Sequence, residues 1–334
     1  MARLSLSYAG HVSDRVQDIY YGAVKPEAVD LHFIPLQPFQ AFPRMLSGEF
    51  DCAEMSFSTY VIMMAHAKAG GAAVPFVAIP VFPSRTFRHA AIYINRAAGI
   101  SQPEDLVGRN VGVPEYQMTA AVWVRGLLMH EYGVMPTSIR WTTGGLRDPG
   151  RKAMVATSVP NVEIRYEGQK TLDSMLVAGE LDALIAPQPP PSFREGHPAV
   201  QRLFPDTTAA EQAYYRKTGL FPIMHVVVLR KEIYERHPWS AVSLYEAFDR
   251  AKNNCIDRLR VEEPVPTSIP WASQLVNAAI DAMGFDFWPY GIEPNRKVIE
   301  TLCGYVFEQG LALVRAEVDD LFAPNVARLS EQRL

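Results

Sequence analysis

Apolar and polar residues alternate along RLSLSY (3 to 8), and the alternation returns in VDLHFIPL (29 to 36), with DCAEM (51 to 55) a third, shorter strand candidate. This two-residue period predicts strands with one buried face. Between them, DRVQDIYYGAV (14 to 24) and FQAFPRMLSG (39 to 48) carry the wider apolar spacing of amphipathic helices. The result is a βαβαβ unit, whose crossovers favour a parallel sheet with helices on its faces. A second copy follows in RNVGVP (109 to 114), TAAVWVRGLLMHEYG (119 to 133), VEIRYE (162 to 167), QKTLDSMLVAG (169 to 179) and LDALIAP (181 to 187), with an insertion of about thirty residues after its first helix. RMLSGEFDCA (44 to 53) and MLVAGELDAL (175 to 184) set the two copies in register. In each, a glycine (Gly48, Gly179) suits the left-handed residue that stops a helix, where a Cβ would be strained.

Two such units imply an α/β protein of two lobes joined by crossover strands at FRHAAIYINR (87 to 96) and FPIMHVVVLR (221 to 230). The expected division is 1–92 with 227–334 for one lobe and 93–226 for the other, the helical stretch from Pro238 onward packing mostly on the first. Ligands of such sheets bind beyond the carboxyl ends of the strands, which places the expected site in a cleft between the lobes. The loops predicted there are GHVSD (10 to 14), EMSFS (54 to 58), RTFRH (85 to 89), the turn after VGVP (111 to 114) and PQPPP (187 to 191).

Composition narrows the class of partner. The 334 residues are 48% hydrophobic and 20% charged, with a formal net charge of -4 and the two signs interspersed. That balance gives no basic surface for nucleic acid or an anionic membrane. The most apolar stretch, 61 to 82, is broken by His66, Lys68, two glycines and two prolines, so it does not read as a membrane span. The start of the chain shows no basic region followed by an apolar run, and the three scattered cysteines form neither a disulfide framework nor a CxxC metal site. A cytoplasmic protein acting on a small molecule is expected; a homo-oligomer is left open.

EMSFSTY, IPVFPSRTFRHAAIYIN, LVGRNVGVPEYQMTAAVWVRG, GELDALIAP, LFPIMHVVVLRKEIYERHPW and MGFDFWPYGIEPN together resemble the 4,5-dihydroxyphthalate decarboxylase family over nearly the whole chain. The resemblance implies a two-lobed fold of the type II periplasmic-binding-protein kind, with a central ligand cleft. It also implies cofactor-independent decarboxylation of a hydroxylated aromatic diacid. One segment departs: the family pattern has a Tyr-Asp-Arg-Thr run where this chain has His11-Val12-Ser13-Asp14-Arg15-Val16, so only Asp14 and Arg15 align.

That chemistry needs carboxylate anchors and a proton donor. Arg85 and Arg88 suit the anchors through the guanidinium fork, or else form hinge salt bridges; strand alternation favours Arg88 for contact. His225, Glu115 and His89 are the candidate proton carriers, with Glu54 a rival carboxyl whose pKa a closed cleft would raise. A histidine inside PIMHVVV also reads as a satisfied core residue. Tyr116, Gln117 and Thr119 line the mouth of a helix able to cradle an anion, though Thr119 alone reads as an N-cap. Ser56 and Ser58 read as caps whose hydroxyls can turn to a carboxylate; Trp288 and Tyr290 either cover an aromatic ring or sit in the core. His11, Asp14, Glu54 and Trp288 are further candidate substrate contacts; His11 and Asp14, with His89, are also the only suggestion of a metal, and no HxH or HExxH run supports it, so no cofactor is expected. A non-catalytic solute-binding protein and a synthase on the same fold are the competing readings.

Overall fold

Each copy of the repeat builds its own sheet. The computed structural model describes residues 3–153, 159–261, 263 and 267–331. Among these, the strands are β1 (Leu4–Gly10), β2 (Val29–Pro35), β3 (Cys52–Ser56), β4 (Phe76–Arg85), β5 (Ile92–Asn95), β6 (Asn110–Val113), β7 (Arg140–Gly144), β8 (Ile164–Glu167), β9 (Ala183–Ile185), β10 (Val200–Arg202) and β11 (Ile223–Arg230). The chain forms two compact units. Unit 1 holds residues 1–85, 225–300 and 316–334, and unit 2 holds 86–224 and 301–315. The observed boundaries follow 85 and 224, where the sequence suggested 92 and 226, and residues 301–315 belong with unit 2.

Unit 1 has the strand order β2-β1-β3-β11-β4. Strand β1 runs parallel to β2 and β3, while the returning β11 runs antiparallel to β3. The sheet is therefore mixed. Two prolines, Pro80 and Pro83, sit inside β4, which the order shows to be an edge, the place where a missing N–H is tolerated. That edge is covered by its own chain, since Gly291 and Ala323 donate N–H bonds to Pro80 and Ala78. Of the expected helix at 14 to 24 only α1 (Gln17–Tyr20) forms, followed by turns; α2 (Pro38–Leu46) and α3 (Phe57–Lys68) are longer. Tyr8 lies at the centre of the core, its ring against Phe33 and Phe248.

Unit 2 has the order β10-β5-β9-β6-β7-β8. Strands β9, β6, β7 and β8 run parallel to one another, and β5 is antiparallel to both β9 and β10. Here the repeat differs from its expected form. The strand beside β6, in the place β2 takes beside β1, is β7, which lies inside the supposed insertion; VEIRYE supplies the further edge strand β8. Helix α4 (Thr119–Tyr132) is buried along its first ten residues, and α5 (Leu172–Ala178) packs a core that includes Tyr93, Leu172, Leu176 and Leu184. Both stop glycines take the left-handed conformation, Gly48 at φ 79° and Gly179 at φ 75°. The three cysteines are free and buried: Cys52 in β3, Cys255 in the helix Trp239–Leu259, and Cys303 in unit 2. Among the described residues no helix is long and apolar enough to cross a membrane.

Candidate active site

In unit 1, pairing of β3 with β11 brings two titratable groups together across 171 residues of sequence. Val227 stands opposite Glu54, and His225 opposite Ser56. His225 is thus two residues along from the position facing Glu54, on the same face, where diagonal neighbours touch. Its Nδ1 lies 2.5 Å from Glu54 Oε1, while Glu54 Oε2 accepts the His11 backbone N–H at 3.0 Å. The Glu54 side chain is buried; that of His225 is 18% exposed, so the ring is held on one side and reachable on the other. Burial opposes the Glu54 carboxylate, but the charge and hydrogen bond of His225 and the His11 N–H together hold it below its ordinary pKa. An ionised Glu54 keeps the proton on Nδ1 and leaves Nε2 to exchange protons with a ligand. Phe42 meets the ring edge-on at 5.0 Å and limits its rotation.

Two phenols surround this pair. The Tyr8 and Tyr290 hydroxyls are buried and have no hydrogen-bond partner among the described residues. Burial, followed by the nearby Glu54 charge, pushes the Tyr8 phenol far up; burial does the same to Tyr290, against the pull of Arg15 and Arg85. Tyr8 folds back along its own strand, and a Cβ at residue 10 would come within 2.6 Å of the Tyr8 oxygen, so Gly10 is required there.

The loop after β1 crosses to the end of β4. Arg15 lays its guanidinium over Trp288, 4.0 Å from the ring centroid, donates from Nε to Pro83 O at 3.1 Å and from Nη1 to Asp14 Oδ1 at 2.7 Å. Asp14 is thereby paired with its own neighbour, and Trp288 is fixed by an Nε1 bond to Phe82 O at 2.9 Å. His11 contributes its backbone to Glu54, its side chain standing exposed. Arg85 is buried and donates to Pro289 O at 2.8 Å and to Asn295 Oδ1; Asn295 in turn donates to Pro289 O and Gly291 O. This network braces the 289–295 segment. Ser56 occupies the N-cap of α3 without a side-chain cap bond; its hydroxyl accepts from Thr59 at 3.0 Å and lies 3.4 Å from that of Ser58. Ser56 thus stands at the expected cap position without a side-chain cap bond, whereas Ser58 lies in the first turn of the helix.

Unit 2 holds the remaining candidates. Glu115 is buried and bound by Arg151 Nη2 at 2.5 Å and by Gln117 Nε2 at 3.1 Å, which pairs the carboxylate. Tyr116 is core, not mouth: its ring packs against Trp141 and beneath Arg125, whose guanidinium carbon lies 3.7 Å from the ring centroid. Thr119 is the first helical residue; the N-cap is Met118, so the expected Thr119 cap is absent. His89 is 2% exposed between Phe204 and Tyr214, and burial pulls its pKa down to about 4 against the opposing Glu131 charge. Arg88 donates from Nε to Met224 Sδ at 3.1 Å, and burial lowers its guanidinium to about 10, Glu211 opposing. Among the described residues its guanidinium forms no ion pair.

The sequence named Glu54 and His225 separately and did not pair them; the pairing is set by an antiparallel register that no local pattern encodes. Arg151 and Arg125 were missed altogether. Among the described residues no group of three or more His, Cys, Asp or Glu side chains converges as a metal site.

No family model matches the chain. A curated 4,5-dihydroxyphthalate decarboxylase of Comamonas testosteroni is 36% identical over 328 residues, covering 97% of this chain and 98% of that protein. One of the same name from Pseudomonas putida is 37% identical over 220 residues, covering 65% and 83%. Among solved structures, the periplasmic aliphatic sulphonate binding protein SsuA of Escherichia coli is similar with TM-score 0.53 and 14% identity over 97% of this chain and 99% of that one. The desulfurization enzyme DSZB matches with TM-score 0.54 and 13% identity over 99% of both chains. The structural likenesses establish a periplasmic-binding-protein-like fold. The sequence identity, 36% over 97% of this chain and 98% of the Comamonas testosteroni protein, establishes that this chain belongs to the 4,5-dihydroxyphthalate decarboxylase family.

Proposed function

We propose that the protein decarboxylates 4,5-dihydroxyphthalate to 3,4-dihydroxybenzoate and carbon dioxide, with His225 as the proton donor. The activity rests on the relatives of that name. The observation that supports the residue is the imidazole held by a buried carboxylate at Nδ1 with its other edge reachable.

Each carboxylate of this substrate has a hydroxyl para to it, so either one can depart. Ionising that phenol pushes an electron pair toward the carbon bearing the carboxylate, which accepts a proton from Nε2 of the imidazolium. The carbon–carbon bond then breaks, its electron pair restores the aromatic ring, and carbon dioxide leaves. One proton is consumed per carboxylate lost. Glu54 stabilises the imidazolium and fixes its orientation, the usual second role in an acid–base pair. The electron pair comes from the substrate's own phenolate, so the scheme calls on no cofactor. A small aromatic carboxylate as ligand and a cytoplasmic setting complete this reading, three free thiols being compatible with a reducing compartment.

Purified protein incubated with 4,5-dihydroxyphthalate in deuterium oxide tests it. The product should carry deuterium at the vacated carbon alone. Tight binding without turnover would instead make the chain a solute-binding protein, and deuterium-free product would exclude protonation by an exchangeable group.

A further inference from the structure

We propose that Arg15 is the specificity-determining residue of unit 1: it grips the carboxylate that the substrate keeps. This rests on the decarboxylase reading and adds to it the residue that selects an acid.

Arg15 is held in a manner that serves a ligand better than the fold. Its plane is stacked on Trp288, Nε is spent on Pro83 O and Nη1 on Asp14, and Nη2 donates to none of the described residues. The side chain is 20% exposed. Three contacts fix the position of the guanidinium and leave one edge free, so little side-chain entropy remains to be lost when an anion arrives. The surface Asp14 carboxylate is nearly half exposed and only partly offsets the charge. Trp288 is itself anchored to Phe82 O, which passes the rigidity of β4 to the stack. The placement also fits the reaction. Arg15 follows β1, Glu54 is near the end of β3, and the Tyr290 phenol lies within electrostatic reach of both. Arg85, the other guanidinium near Tyr290, is committed to Pro289 and Asn295.

Which carboxylate it holds follows from the chemistry. An arginine on the departing group would stabilise a charge that must vanish as carbon dioxide forms, raising the barrier; one on the retained group binds ground state and transition state alike. Loss of such uniform binding raises KM more than it lowers kcat.

The test compares wild type with Arg15→Gln and Arg15→Lys, measuring turnover of 4,5-dihydroxyphthalate and calorimetric affinity for that diacid, for 3,4-dihydroxybenzoate and for catechol. Arg15→Gln should weaken both acids by roughly 30-fold or more, the scale of a lost charge-assisted pair. KM should rise in parallel, kcat should fall by a smaller factor, and catechol should bind as before. Arg15→Lys should restore part of the acid affinity. Acid affinities within twofold of wild type in Arg15→Gln would overturn the proposal, as would an equal loss for catechol, which would mark a merely structural stack. A wild-type chain that binds the acids without turnover overturns the reaction and leaves the Arg15 comparison intact; one that binds neither acid overturns both.

Discussion

His89 sits in surroundings that separate it sharply from His225, the proposed proton donor. Caged by Phe204 and Tyr214 at 5.1 and 5.3 Å, its imidazole is held neutral, with a folded pKa of about 4 against 6.5 for the free group. Its Nδ1 has no hydrogen-bond partner among the described residues. At pH 7.5 the ring is neutral whether the chain is folded or not, so it adds nothing to pH dependence. Below 6.5 the unfolded chain takes up a proton that the folded chain refuses, and stability falls by up to about 1.4 kcal/mol per pH unit until the folded pKa is reached. The full gap corresponds to about 3 kcal/mol, of which about 2 kcal/mol is already lost at pH 5. His89→Leu removes the group and keeps an apolar side chain in the cage. Urea unfolding of both proteins at pH 7.5 and pH 5 should show wild type losing about 2 kcal/mol more than the variant, the other titrating groups cancelling in the difference. Turnover at pH 7.5 should survive, because a neutral caged ring has no proton to deliver. Equal pH dependence in the two proteins, or loss of turnover in a folded variant, would refute this reasoning.

Two further outcomes bear on the candidate site. Glu54→Gln should lower kcat by about a hundredfold or more while changing substrate affinity less, since it removes the charge behind His225 but keeps the volume; steady-state kinetics with 4,5-dihydroxyphthalate checks it. Arg88→Ala should weaken substrate binding by about tenfold or more with folding retained, since its forked end makes no ion pair among the described residues; calorimetry and circular dichroism read the two effects.

The fold was legible where local rules decide it. Gly48 and Gly179 marked helix stops because the left-handed backbone that ends a helix is strained for a residue with a Cβ, and the strands on either side followed. Strand β7 was not legible: Trp-Thr-Thr is short and runs into two glycines, so the pattern resembles a turn, and only the neighbouring β6 and β8 make it a strand. Assignment of 301–315 to unit 2 was equally hidden, because the apolar face of the helix Arg296–Glu308 does not say which core it meets. In the site, residue types pointed to acid–base chemistry. Partners did not. Glu54 finds His225 at a separation of 171 residues and Glu115 finds Arg151 at 36, distances over which only tertiary packing speaks.

The buried cysteines have a practical consequence. A thiol reacts as its thiolate and only when reagent reaches it, and burial both shields Cys52 and Cys255 and pushes their pKa values up, Cys255 to about 12. Alkylation of the native protein must therefore wait for an opening event. Cys52 sits in the central strand of unit 1, Cys255 in its long helix and Cys303 in unit 2. Mass spectrometry of a timed alkylation thus yields three separate opening rates from the natural sequence, with no introduced label, and reports which unit breathes first.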